Sequence, residues 1–194
     1  ILGIAVVLIF VASPKYSQFI WMATAGIAFM AVFLAMESYR LERLAIWRNP
    51  EQYEKGYQTL QGLYAIGSGG LFGRGLGNSV QKLGFLPEAQ DDMIFSIICE
   101  ELGLVGDGII IFLFFLLIWR FFVIATKAPD LLGALIASGA MAHMMIQVIL
   151  NIAVVTNSIP NTGITLPFIS YGGTSVVFLL LEMGLVLSVS GLVE

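Results

Sequence analysis

From Phe19 to Met36 the chain runs 18 residues without a charged side chain, and Ile109 to Trp119 is an unbroken block of aliphatic and aromatic residues. Runs of this kind match the roughly 20 apolar residues that carry a helix across a bilayer. The composition agrees: 58% of residues are hydrophobic and 11% charged, with a mean hydropathy of +0.93, where soluble chains carry about 25% charged residues. That excludes an ordinary soluble enzyme and a disordered segment. It also excludes nucleic acid as a partner, because nine cations spread along the chain make no basic patch. The expected fold is all-α, a polytopic helix bundle whose solvent is membrane lipid.

The length rule divides this single membrane domain, 1–194, into one truncated span at 1–12 and four complete ones at 19–36, 102–125, 131–155 and 174–193. Ile1 opens directly into the first apolar run, with neither an initiator Met nor the basic start of a signal peptide. The chain therefore reads as a piece of a longer protein. A short turn is expected at Ser13–Gln18. The lone Cys99 can close no internal disulfide and build no Cys-rich metal site, so it reads as a small buried hydrophobe.

Between the first and second complete spans lies a long loop, 37–92, which holds six of the nine cations and seven of the thirteen acids. In Tyr39–Trp47, Leu41, Leu44 and Trp47 recur near helical spacing with Arg40, Glu42 and Arg43 between them, the pattern of a short interfacial helix. Gly67–Gly77 has six glycines in eleven residues and reads as a tight loop. Its Gly-Arg-Gly-Leu-Gly core lacks the strand, spacing and following acid of a dinucleotide fingerprint, leaving Arg74 as an anion contact. Counting cations near span ends places this loop, with Arg40, Arg43 and Arg48, in the cytoplasm and the turns with Lys15, Arg120 and Lys127 outside.

Three acids, Glu88, Asp91 and Asp92, immediately precede the apolar residues Met93–Ile98. By itself the pattern favours a helix cap, in which a carboxylate accepts orphan amide hydrogens. The alternative is a general base at the membrane surface, with neighbouring acids raising one another's pKa. Glu100 and Glu101 follow inside an apolar helix, where charge is costly and faces a cavity or a partner. His143, Gln147 and Asn151 form a polar stripe at i, i+4, i+8, better read as interhelical hydrogen bonding than as a proton relay or a metal site. Glu182, mid-span, points to an internal polar cavity. The connection Pro160–Ser175 combines two prolines, three glycines and six hydroxyl residues. Irregular backbone there is tolerated where it lines protein or a polar cavity, and it could present hydroxyls and amides to an anion or a sugar.

Five blocks carry a resemblance. Gly75-Leu-Gly-Asn-Ser-Val-Gln-Lys82, Leu86-Pro-Glu-Ala89, Asp92-Met-Ile-Phe95, Glu100-Glu-Leu-Gly103 with Gly106, and Asn161-Thr-Gly-Ile-Thr-Leu-Pro-Phe-Ile-Ser-Tyr-Gly-Gly-Thr-Ser175 resemble, in order and spacing, the signature blocks of the SEDS family (shape, elongation, division and sporulation). The likeness is greater to its FtsW and SpoVE branches than to RodA. It covers essentially the whole chain, which looks like the C-terminal half of a protein with about ten spans.

The resemblance implies a multi-pass protein of the bacterial inner membrane, acting at the division septum as a peptidoglycan glycosyltransferase that polymerises lipid II. It implies a class B penicillin-binding protein and other divisome proteins as partners. It also implies an extracytoplasmic position for 37–92, against the charge count. The family's catalytic Asp falls on Asp92, but here Gln90-Asp91 precedes it where the family usually has His-Thr or Gln-Thr, which sets a second carboxylate beside the base. Arg40, Arg43, Arg74 and Lys82 are the expected contacts to the pyrophosphate, with a divalent cation, Mg2+ or Mn2+, able to bridge phosphate oxygens. Glu88, Ser170, Thr174 and Ser175 complete the expected substrate-binding set, and Glu100, Glu101, Gln147, Asn151 and Glu182 the cavity. Two other readings remain open: a lipid II flippase using Glu182 and the polar stripe, and a non-catalytic divisome scaffold.

Overall fold

Residues 2–12, 16–35 and 38–193 are described by a computed structural model of the chain, with backbone alone for Tyr16, Gln18, Phe19, 29–35 and 38–41. Ile1, Lys15, Glu37, the start of the expected turn at Ser13–Gln18 and the side chain of Arg40 lie outside that description. The described residues contain helices and no strand: α1 (Leu2–Ala12), α2 (Tyr16–Ala35), α3 (Ser38–Arg48), α4 (Tyr57–Gly69), α5 (Ile94–Lys127), α6 (Leu131–Val155) and α7 (Gly173–Ser190). Among them α5, α6 and α7 are long and apolar enough to cross a membrane. Helix α2, 20 residues and without charge, begins at Tyr16, so Tyr16–Gln18 are helical and not part of a turn.

Helix α6 is the central post, packed against α1, α5 and α7. Asp130 caps its start by accepting from the Gly133 amide at 3.0 Å. Ala137, Ala142, Met144, Val148 and Val155 line its buried side.

Segment 37–92 holds more helix than expected. Helix α3 falls where the amphipathic pattern places it, but α4 had no counterpart in the sequence reading. Gly67–Gly69, which the glycine content predicts as loop, are its last turn. Helix α4 buries Gly62, Ala65 and Gly69, a stripe of small residues that lets its backbone approach α5. A Cβ at Gly69 would overlap the Cys99 carbonyl oxygen, and one at Gly62 would press on the Ser96 hydroxyl. Its glycines serve close packing at the expense of helix propensity.

As one straight rod the 34 residues of α5 would be about 50 Å long, too long for a single crossing. It is broken at Gly103, where φ is 65° and ψ −172°, a conformation that L side chains do not share. The break frees backbone groups, and the glycine loop after α4 takes them up by exchange. The Arg74 and Gly75 amides donate to the carbonyls of Glu100 and Glu101 at 2.9 and 3.0 Å, while the Leu104 and Val105 amides donate to those of Gly70 and Leu71 at 3.0 and 3.1 Å. A Cβ on Gly103 would overlap the Gly73 amide, and one on Gly73 the Glu101 carbonyl. Two segments therefore cross with no side chain between them. The crossing separates a short helical piece, 94–102, from the membrane-length piece 104–127.

Candidate functional site

Three consecutive carbonyls of the turn before α5 are held by distant segments. The Tyr171 amide donates to Gln90 O at 2.8 Å, the Ser170 hydroxyl to Asp91 O at 2.6 Å, and Asn151 Nδ2 to Asp92 O at 2.8 Å. Asn151, fully buried in α6, uses its other amide hydrogen on Ile164 O at 2.7 Å. It thus ties the turn to the 160–175 connection. Ser170 also accepts from the Leu166 amide at 2.7 Å; its hydroxyl is spent on this brace and not offered to a ligand.

With its backbone fixed this way, Asp92 is 8% exposed. It lies on a cavity of about 320 Å³ lined by α3 (Glu42, Arg43, Ile46, Trp47), by Lys55, by α4 (Gln58, Thr59) and by Asn157 and Asn161–Gly163. The helix-cap reading fails: Met93 occupies the cap position of α5 and no side chain caps there. The Asp92 carboxylate instead accepts from Gln58 Nε2 at 3.3 Å. Burial pushes its pKa above the ordinary 3.8 and Asp91 adds to that rise, while hydrogen bonds donated by Asn161 and by its own backbone amide pull it down. Asp91 faces Glu88, and the hydrogen bond and charge between them raise the Glu88 pKa. Glu88 itself is exposed at φ 51° and borders a neighbouring hollow with Lys82, Leu86, Gln90 and Ile94, not the Asp92 cavity.

The four expected cations divide. Arg43 lines the Asp92 cavity and donates to Asn161 O at 3.2 Å. Arg74 and Lys82 stand elsewhere, a correction to the expectation that they share the site. Arg74 pairs with Glu100 at 3.2 Å and Lys82 with Glu101 at 2.6 Å. Glu100 also accepts from the Ser79 hydroxyl at 2.5 Å and from the Val80 and Gln81 amides; Glu101 accepts from the Gly77 and Ser79 amides. These two glutamates hold the glycine loop down onto the short helical piece. Both lie on the short piece before the break at Gly103, not on the membrane-length helix.

Thr174 is exposed on the first turn of α7, and the Ser175 hydroxyl donates to Gly172 O at 2.9 Å; neither reaches the cavity. Of the polar stripe, His143 Nδ1 meets Glu182 at 2.8 Å across α6 and α7, the interhelical contact expected for a stripe of this kind. The hollow that Glu182 borders is otherwise apolar, walled by Leu8, Ile9, Leu135, Ile136 and Leu185. Gln147 keeps a buried Oε1 with no partner among the described residues.

Lys55, Gln58 and Asn157 were missed from sequence. Asn161 is likewise absent from the expected set although it heads one of the signature blocks, the one signal that points to it, and Gln58 and Asn157 are neutral amides on segments without a motif. Among the described residues no three carboxylate, His or Cys side chains converge as metal ligands.

A family model described as "Cell cycle protein", FTSW_RODA_SPOVE, matches residues 1–193. Stage V sporulation protein E of Bacillus subtilis is 45% identical over 190 residues, 97% of this chain and 52% of that protein. A protein of Coxiella burnetii named probable peptidoglycan glycosyltransferase FtsW is 42% identical over 188 residues, 94% of this chain and 50% of its own length. A solved structure described as "Structural coordination of polymerization and crosslinking by a peptidoglycan synthase complex" aligns with a TM-score of 0.76 at 30% identity, covering 96% of this chain and 52% of that one. The chain spans about half the length of the curated relatives it matches.

Proposed function

The chain belongs to the FtsW/RodA/SpoVE family of cell cycle proteins, and from that premise we propose that it is part of a peptidoglycan glycosyltransferase that polymerises lipid II, with Asp92 as general base. One observation carries the reading: the Asp92 carboxylate is withdrawn from the helix end it could have capped and turned into a polar cavity. A base needs that placement, within reach of an acceptor hydroxyl and with its proton affinity raised toward working pH.

In the proposed step Asp92 takes the proton of the GlcNAc 4-hydroxyl of one lipid II. The oxygen attacks the anomeric carbon at the MurNAc end of the growing glycan, the bond to the polyprenyl pyrophosphate breaks, and configuration inverts. Arg43 and Lys55, on the same cavity as Asp92, are the cations placed to meet the leaving pyrophosphate. Gln58, Thr59, Asn157 and Asn161 offer the amides and hydroxyl that suit sugar and N-acetyl groups.

The setting proposed is the bacterial inner membrane at the division septum, with 37–92 extracytoplasmic where lipid II is presented, and with a class B penicillin-binding protein and other divisome proteins as partners. The test is glycan synthesis from lipid II by the whole protein purified with that partner. Asp92→Asn should abolish polymer while Asp91→Asn retains it. Unimpaired polymer from both variants would remove Asp92 from the chemistry and return attention to Glu182 and a transport role.

A further inference from the structure

A run of hydrogen bonds with one fixed polarity ends on the Asp92 carboxylate. The Gly163 amide donates to Asn161 Oδ1 at 2.9 Å. A backbone N–H can only donate, so this bond fixes which way the Asn161 amide faces. Asn161 Nδ2 then donates to Gln58 Oε1 at 3.2 Å, which turns the Gln58 NH2 group toward Asp92. That orientation is fixed from the other side as well, because Gln58 Nε2 donates to Pro87 O at 3.3 Å, a carbonyl that can only accept. Its remaining donation, also at 3.3 Å, is to Asp92 Oδ1. Neither amide can flip without breaking bonds at both of its ends.

We propose that Gln58 is the positioning residue of the base: the relay Gly163–Asn161–Gln58 holds the Asp92 carboxylate aimed into the cavity in its ionised form. The proposal rests on the reading of Asp92 as that base. Head-to-tail amides polarise one another and deliver partial positive charge to the carboxylate, and hydrogen bonds to the charged form of an acid favour that form. Burial does the opposite and raises the pKa, while hydrogen bonding from Asn161, the middle member of the relay, lowers it, so the relay offsets part of the desolvation.

The charged groups around Asp92 are few. Asp91 and Glu88 on its own turn disfavour the carboxylate. Glu42 and Arg43 from α3, and Lys55, share the cavity. Helix α4 brings an amide and a hydroxyl to the cavity, Gln58 and Thr59, and α6 sets Asn151 on the Asp92 carbonyl; none of these carries charge. Removal of the Gln58 donor is therefore not masked by a nearby ionic partner on its own helix.

The experiment is the pH–rate profile of glycan synthesis by the whole protein with its penicillin-binding partner and lipid II, for wild type, Gln58→Met, Gln58→Glu and Asp92→Asn. Gln58→Met keeps the volume and removes the donor; the acidic limb should move upward by on the order of one pH unit. Gln58→Glu keeps the shape and sets a carboxylate against Asp92, so its limb should move at least as far in the same direction. A folded variant whose rate falls equally at every pH, with the limb unmoved, overturns the positioning role. So does failure of both variants to give monodisperse protein, which would assign Gln58 to the fold. In either case loss of polymer in Asp92→Asn leaves the base assignment standing. Polymer from Asp92→Asn defeats that assignment, and this inference with it.

Discussion

Glu100 is the residue whose replacement should cost the most stability without touching the cavity. Its side chain is 1% exposed and pairs with Arg74 at 3.2 Å. Its oxygens also accept from the Ser79 hydroxyl at 2.5 Å and the Val80 and Gln81 amides at 3.1 and 3.3 Å. All four partners are donors. In Glu100→Gln one oxygen becomes an NH2 group, so at least one buried donor meets a donor, and the pair with Arg74 loses its charge. An unmade buried hydrogen bond costs about 1–3 kcal/mol, whereas Arg74 is 42% exposed, so the charge it keeps is met by solvent and adds little. The expected loss is therefore about 1–3 kcal/mol, a fall in Tm of roughly 2–4 °C per kcal/mol for a chain of this size. The internal control is Glu42→Gln, whose pair with Lys55 is 43% and 64% exposed; a pair of that kind is worth about 0–1 kcal/mol. Thermal unfolding of the whole protein in detergent, followed by the loss of its monodisperse size-exclusion peak, measures both. Equal Tm values for the two variants would refute the claim that Glu100 fastens the glycine loop.

Asp92→Asn should raise Tm at neutral pH while removing activity. Its folded pKa lies above the unfolded value of 3.8, so this carboxyl favours folding most below 3.8, and that contribution is lost as pH rises through the folded pKa. At neutral pH the ionised, buried group works against the fold, and an amide relieves it; a Tm equal to or below wild type there contradicts that sign. The His143–Glu182 contact joins α6 and α7, and its side chains are each about 30% exposed. The double variant His143→Leu/Glu182→Leu should be closer to wild type in Tm than Glu182→Leu alone, and should still polymerise, because the pair is proposed to be structural. Loss of polymer in all folded variants of the pair would favour the transporter reading.

The sequence disclosed elements whose pattern is local. The bounds of α6 follow from an uncharged, mostly apolar run after Asp130, and α3 from the spacing of Leu41, Leu44 and Trp47. Helix α4 was hidden because Gly62, Gly67 and Gly69 each lower helix propensity by about 1 kcal/mol against Ala. Two of the three are compensated by the close approach to α5, which no single-segment rule contains. Gly103 was hidden for the converse reason: inside Glu-Glu-Leu-Gly-Leu it reads as an ordinary helical glycine, and the break becomes visible only with the amides of residues 74 and 75 beside it. The charge of Arg74 and Lys82 is evident in the sequence and points to the pyrophosphate, whereas their partners, Glu100 and Glu101, stand on a helix further along the chain that only the fold sets beside them.

The choice between Asp91 and Asp92 shows where local rules stop. Both are acids at a helix start, and capping preferences make them equivalent. They are separated by the successive ties on carbonyls 90, 91 and 92, which come from Tyr171, Ser170 and Asn151. With three adjacent carbonyls fixed, the turn cannot rotate, and the side chains of 91 and 92 leave it in different directions. Asp91 goes toward Glu88 and Asp92 toward Gln58 and the cavity. The placement of the proposed base is therefore carried by α6 and the 160–175 connection more than by the acids themselves. Loosening the Asn151 tie, as in Asn151→Ala, is the change that would let the two carboxylates exchange environments.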